Sequence, residues 1–146
     1  MIRVEHEERF PVSAEAGFAY ITDPANWPAY WPGLVRVGAD SRWRDPGDVT
    51  RLTMKLLGRE VGLRMTLRRV EPNRLVEYDS VQAGLPDARH ERHFEPSDGG
   101  FRYRLAVEYV PRRGLRGLYD RLLVRRGIVR TLRRTTQNLK EALPPA

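Results

Sequence analysis

The segment PRRGLRGLYDRLLVRRGIVRTLRRTTQNLKEAL, residues 111–143, decides the fold. Positions 115, 118, 122, 125, 129, 132, 136, 139 and 143 carry Leu115, Leu118, Leu122, Arg125, Val129, Leu132, Thr136, Leu139 and Leu143. Steps of three and four residues alternate along this series, which keeps it on one face of a helix with 3.6 residues per turn. The spacing predicts one amphipathic helix about 40 Å long, at roughly 1.5 Å per residue. Such a helix needs a broad apolar surface to lie against.

The preceding chain has the pattern of that surface. Residues 1–10 alternate, with Ile2, Val4, His6, Glu8 and Phe10 on one side of a strand that Pro11 closes. Ser13 is the expected N-cap of a short helix reaching about Ala19, with Glu15 in its first turn. Thr22-Asp23-Pro24 starts a second short helix, which carries Trp27, Tyr30 and Trp31 and stops at Pro32-Gly33. Strands and turns then follow without interruption. Val35, Val37, Ala39, Ser41 and Trp43 share a face ahead of the turn Asp45-Pro46-Gly47-Asp48. A hairpin turn centred on Gly58 joins Leu52, Met54 and Leu56 to Val61, Leu63, Met65 and Leu67. Further strands are predicted over 75–81 and 88–95. The last follows Pro96-Ser97-Asp98-Gly99-Gly100 and presents Phe101, Tyr103, Leu105, Val107 and Tyr109 on one face. The order is β-αα-β6-α: an α+β domain over 1–146, with about seven strands and a terminal helix to cover the sheet.

Composition narrows the setting. The chain has no Cys, no apolar run of membrane-spanning length, and an N-terminus, MIRVEHEERF, without a signal-like apolar region; a cytoplasmic setting is expected. The net charge of +7 is uneven. Residues 1–111 hold 16 basic and 17 acidic side chains, whereas 112–146 hold 10 and 2. Arginine dominates, Lys55 and Lys140 being the only lysines. That excess would attract RNA or an anionic membrane surface, although a solvated basic helix face and an arginine-rich codon bias account for it equally. No P-loop, G-x-G-x-x-G, G-x-S-x-G or H-E-x-x-H is present, so none of those catalytic templates applies.

The chain resembles the START-like helix-grip superfamily (SRPBCC), in its polyketide cyclase/dehydrase-like branch. The residues that carry the resemblance are the opening strand into Pro11-Val12-Ser13-Ala14-Glu15, then Phe18-Ala19-Tyr20-Ile21-Thr22-Asp23-Pro24 and Trp27-Pro28-Ala29-Tyr30-Trp31-Pro32. Gly47-Asp48, Phe94-Glu95-Pro96 with Gly99-Gly100, and the helix end Asn138-Leu139-Lys140 complete it. These are signatures of a fold, not of an active site. The resemblance implies a curved antiparallel sheet gripping the terminal helix around an apolar cavity. Its members bind lipids, polyketides, quinones or other hydrophobic small molecules, and some are cyclases or aromatases.

Candidate site residues are polar or aromatic groups on faces that should point inward. Phe94 sets one parity for strand 88–95, which turns His90 and Arg92 inward; a bulge after Pro86 would instead turn in Glu91 and His93. Tyr78, Tyr103 and Tyr109 fall on inward faces with Ser80, as cavity lining or as packing with the hydroxyl at an edge. Met54 and Met65 belong to the inward hairpin face, and Trp31 and Trp43, with Trp27 and Tyr30, form either a pocket mouth or ordinary core. Arg125 interrupts the apolar stripe of the helix, where it either reaches a ligand oxygen or snorkels outward. His90 and His93 lie three apart and so point to opposite faces of a strand, and no cysteine or carboxylate pair completes a ligand set; neither metal nor cofactor is expected.

Overall fold

The alternating segments form one seven-stranded antiparallel sheet, in the order β1-β7-β6-β5-β4-β3-β2. The computed structural model describes residues 1–144. Its strands are β1 (Ile2–Phe10), β2 (Leu34–Val37), β3 (Val49–Leu56), β4 (Arg59–Glu71), β5 (Leu75–Gln82), β6 (Ala88–Ser97) and β7 (Gly100–Tyr109). β1 pairs with β7 from Ile2↔Tyr109 to Phe10↔Phe101, so the first strand joins the last and β2 is left at the far edge. Two short helices, α1 (Ala14–Ile21) and α2 (Trp27–Tyr30), follow β1. The sheet is α+β and open, with a long C-terminal helix, as the helix-grip reading expects.

Local chemistry fixes the connections. The Ser13 hydroxyl accepts from the Ala16 amide at 3.1 Å and caps α1. Asp23 caps a 3-10 turn, Pro24–Asn26, that leads into α2. The Trp27 indole and the Tyr30 phenol both donate to the Ile21 carbonyl, at 2.8 and 2.9 Å, which ties α2 back onto the end of α1. Gly17 lets α1 lie on β7: a Cβ there would stand 2.4 Å from the Phe101 ring.

Two expectations about elements need correction. The strand expected to run from 34 to 43 ends at Val37, where the Gly38 amide donates to the Arg51 carbonyl and the chain leaves the sheet. Trp43 is buried all the same, from a loop. A register shift between Leu34 and Arg36 turns Val35 outward, where it is exposed.

The C-terminal helix departs more instructively. It comprises α3 (Leu115–Tyr119), a widened π turn over Asp120–Val124, and α4 (Arg125–Ala142), with right-handed backbone across both junctions. The buried positions are Gly117, Asp120, Val124, Leu132, Thr135, Thr136, Leu139 and Leu143. From Leu132 onward the expected stripe holds. N-terminal to it, the π turn inserts extra arc and rotates the helix, so Leu115, Leu118 and Leu122 are exposed. Arg125 is exposed too. The turn is anchored on both sides of its first residue. The Tyr109 hydroxyl donates to the Asp120 carbonyl at 2.9 Å, and the buried Asp120 carboxylate accepts from the Arg112 amide and guanidinium at 2.8–3.0 Å. At the other end, Asn138 donates to the Tyr30 carbonyl at 3.0 Å and Lys140 pairs with Glu8, so α4 is fastened to α2 and β1. No helix among the described residues is long and apolar enough to cross a membrane.

Candidate functional site

The helix covers the sheet without filling the space beneath it. A cavity of about 440 Å³ remains between β3–β7, α2 and the π turn with the start of α4. That volume lies within the usual range for small-molecule sites. Most of its wall is apolar, contributed by Leu63, Met65, Val76, Phe94, Val124 and Ile128 among others. No Asp or Glu reaches the wall among the described residues.

Nine of the ten candidate residues read from the sequence come to this one wall: Trp31, Trp43, Met54, Met65, Tyr78, His90, Arg92, Tyr103 and Tyr109. Arg125 does not: the side of the helix that meets the cavity runs through Val124, Ile128, Thr131 and Thr135, and Arg125 is exposed on its flank. The first parity of β6 is the observed one: Phe94 is buried, and Tyr78↔His90 and Phe94↔Tyr103 are opposed pairs. Leu123, Val124 and Ile128 belong to the wall as well. Val124 and Ile128 stand eight and four residues before Leu132, so a stripe drawn through 122, 125 and 129 passes beside them.

The polar groups converge at one place on the sheet. The His90 ring stacks on Tyr78, with centroids 4.4 Å apart and planes 4° from parallel, and its Nε2 lies 2.8 Å from the Ser80 hydroxyl. Arg92 donates from Nη2 to the Tyr78 hydroxyl at 2.9 Å, and its guanidinium carbon stands 5.7 Å from the Tyr78 ring centre. Trp43 meets the same ring edge-on at 5.3 Å and Trp27 meets Trp43 edge-on at 5.6 Å, so Tyr78 is held from several directions. His90 and Arg92 retain some accessible surface, and both line the cavity; the side they leave open faces inward. Two buried polar atoms in this cluster have no hydrogen-bond partner, His90 Nδ1 and Arg92 Nη1. None of the ion pairs among the described residues includes Arg92.

Electrostatics follow from this packing. Burial, reinforced by the Arg92 charge, pushes His90 well below its ordinary pKa, so its imidazole is neutral. Burial alone would lower Arg92, but the Tyr78 and Tyr103 phenols outweigh it and the guanidinium keeps its charge. Burial raises Tyr30 and Tyr103, which remain undissociated. The cluster is therefore one fixed cation among neutral donors and acceptors, in an apolar chamber without an anion.

The sequence model of the polyketide cyclase/dehydrase and lipid transport family matches residues 1–144. The chain belongs to that family. No curated protein matches it by sequence. Solved structures with the same fold include protein CV1439 from Chromobacterium violaceum, with TM-score 0.80, 14% identity and coverage of 99% of this chain and 98% of that one. TTHA0849 from Thermus thermophilus gives TM-score 0.80 at 17% identity, covering 97% of both chains. The Zhui aromatase/cyclase from a Streptomyces species gives TM-score 0.73 at 16% identity, covering 97% of this chain and 90% of that one. At such identities the likeness is one of fold. The family places the chain among proteins of hydrophobic small molecules.

Proposed function

We propose that the protein binds an amphiphilic small molecule in this cavity, with the apolar body against the methionine, leucine and aromatic wall and an oxyanion at Arg92. The observation that carries the reading is a guanidinium with no carboxylate partner, lining a largely apolar chamber. A largely buried charge without a counter-ion is costly, and a ligand carboxylate or enolate beside the guanidinium reduces that cost. Tyr78 orients Arg92 for it, and the Ser80–His90 contact fixes the imidazole beside the same spot.

The test compares a fluorescent long-chain carboxylic acid with the alcohol of the same chain. One charged hydrogen bond is worth about 1.5–3 kcal/mol, so the acid is expected to bind about 10–100 times more tightly, and Arg92→Met to erase the difference. Equal binding of acid and alcohol by the unaltered protein refutes the oxyanion site; no binding of either refutes the cavity.

A second reading is supported by the neutral imidazole beside this cation. In an aromatase/cyclase, as the Streptomyces protein is titled, His90 would remove a proton next to a ketone while Arg92 held the developing enolate oxygen. Cyclisation of a poly-β-ketone by the protein, lost in His90→Gln, tests it; no turnover by the unaltered protein refutes it.

A further inference from the structure

The cavity opens beside an exposed apolar rim that nothing in the fold covers. On one side stands the β3–β4 hairpin, with Lys55, Leu56 and Leu57 at the opening; on the other, Tyr119 and Leu123 of the helix. Leu57 is 94% exposed. Leu115, at 88%, with Leu118 and Leu122 extends the apolar rim along the helix. Within and ahead of the π turn, the three leucines of the expected stripe stand in solvent. Contiguous aliphatic exposure of this kind marks an interaction site.

The hairpin adds an independent sign. Leu57 adopts φ 52° and Gly58 φ 78°. Two positive φ angles in succession favour Asn-Gly or Gly-Gly, and leucine is poorly suited to the left-handed region. Folding alone would place asparagine there. A leucine that is both strained and in solvent serves something outside the fold.

The charge around the rim states what that is. Arg113, Arg116, Arg121, Arg125 and Arg126 are exposed along the same helical stretch, and Lys55 and Arg59 flank the hairpin. The only acid between 112 and 134 is Asp120, which is buried and engaged by Arg112. We propose that this face docks on an anionic lipid bilayer, with Leu57, Leu115, Leu118 and Leu122 entering the acyl boundary and the arginines lying at the phosphates. Leucines interleaved with arginines are the composition of an interfacial amphipathic surface. A second copy of the chain is disfavoured, since two such faces would meet with like charge. RNA would use the arginines but has no use for extended aliphatic side chains. Docked this way, the cavity mouth opens toward the lipid, which gives a hydrophobic ligand a route that avoids water.

The experiment is co-sedimentation with phosphatidylcholine vesicles, with and without phosphatidylglycerol, across a salt series. Binding is expected only to the anionic vesicles and is expected to fall with salt. Arg113→Gln with Arg116→Gln should weaken it by about fivefold per arginine. Leu118→Ser with Leu122→Ser, neither of which lines the cavity, should weaken it about tenfold or more while leaving ligand uptake from solution unchanged. Leu57→Asn should weaken vesicle binding and raise the melting temperature together, a pairing that a merely structural leucine cannot give. Vesicle binding insensitive to the leucine substitutions overturns the proposal. So does binding to RNA without binding to vesicles, or a dimer that Leu118→Ser dissociates. Arg113, Arg116, Leu118 and Leu122 lie off the cavity wall, so their readouts do not depend on what occupies it.

Discussion

Replacing Arg92 by methionine in ligand-free protein should stabilise the fold while destroying its preference for an acid. Methionine keeps the stem contacts and matches the sulfur-rich lining already formed by Met54 and Met65. The effective penalty for a buried charge without a counter-ion is several kcal/mol. Against it stand the hydrogen bond to Tyr78, at about 1–2 kcal/mol, and the contact with its ring, at about 1 kcal/mol. The net expectation is a gain of about 2 kcal/mol, in line with other replacements of buried charge by apolar side chains. For a chain of 146 residues this corresponds to a rise of about 4–8 °C in melting temperature. Calorimetry on protein freed of ligand reads the first effect and titration with the fluorescent acid reads the second. A melting temperature that falls by several degrees would refute the reasoning, because it would make Arg92 part of the scaffold and its lack of a counter-ion incidental.

Three further outcomes are expected. Stability should decline with acidity below about pH 6.5: the unfolded chain protonates its histidines near the ordinary value of 6.5, while burial holds folded His90 and His6 below it. The loss has a slope of up to about 1.4 kcal/mol per pH unit for each such group, and the urea midpoint of His90→Gln should respond less to pH than that of the unaltered protein. Gly17→Ala should cost about 2–4 kcal/mol by urea denaturation, since the new methyl group overlaps the buried Phe101 ring. Gly127→Ala should stabilise by about 0.5–1 kcal/mol in the same assay, because its Cβ meets nothing and helix propensity improves.

What the sequence made legible was periodic. Alternation placed Tyr103, Leu105, Val107 and Tyr109 on one face of β7, whereas for β6 it left two parities open, of which the structure adopts the one marked by Phe94, with His90 and Arg92 inward. Where the chain departs from a period, the reading failed. One π turn breaks the period in the first half of the terminal helix, where Leu118 and Leu122 are exposed, and Arg125 lies on the surface beside the cavity-facing side of the helix. Its cause is tertiary: the bonds from Tyr109 and Arg112 to Asp120 come from residues 8 and 11 positions away, which helical periodicity does not register. Trp43 reached the core from a loop, where no alternation applies. The feature that most narrows the ligand, the missing counter-ion of Arg92, is a fact about neighbours in space; a chain with 19 acidic residues gives no sign that none of them comes to the cavity.

Carrier and catalyst make different demands on the same cluster, and the cavity wall separates them. With no carboxylate on the wall and with Tyr30 and Tyr103 held undissociated, the neutral His90 ring is the one lining group that can act as a base. Binding rests on the fixed charge of Arg92; turnover, if the protein performs it, must pass through His90. The substitutions should therefore divide. His90→Gln is expected to keep the preference for the acid within about threefold, since the amide can still meet Ser80 and pack on Tyr78 while Arg92 is untouched. Any cyclising activity should fall in it by about 100-fold or more, the usual worth of a positioned base. Arg92→Met should lose both. Loss of acid preference in His90→Gln alone would mean that imidazole, not guanidinium, recognises the oxyanion, and the assignment of roles would have to be reversed.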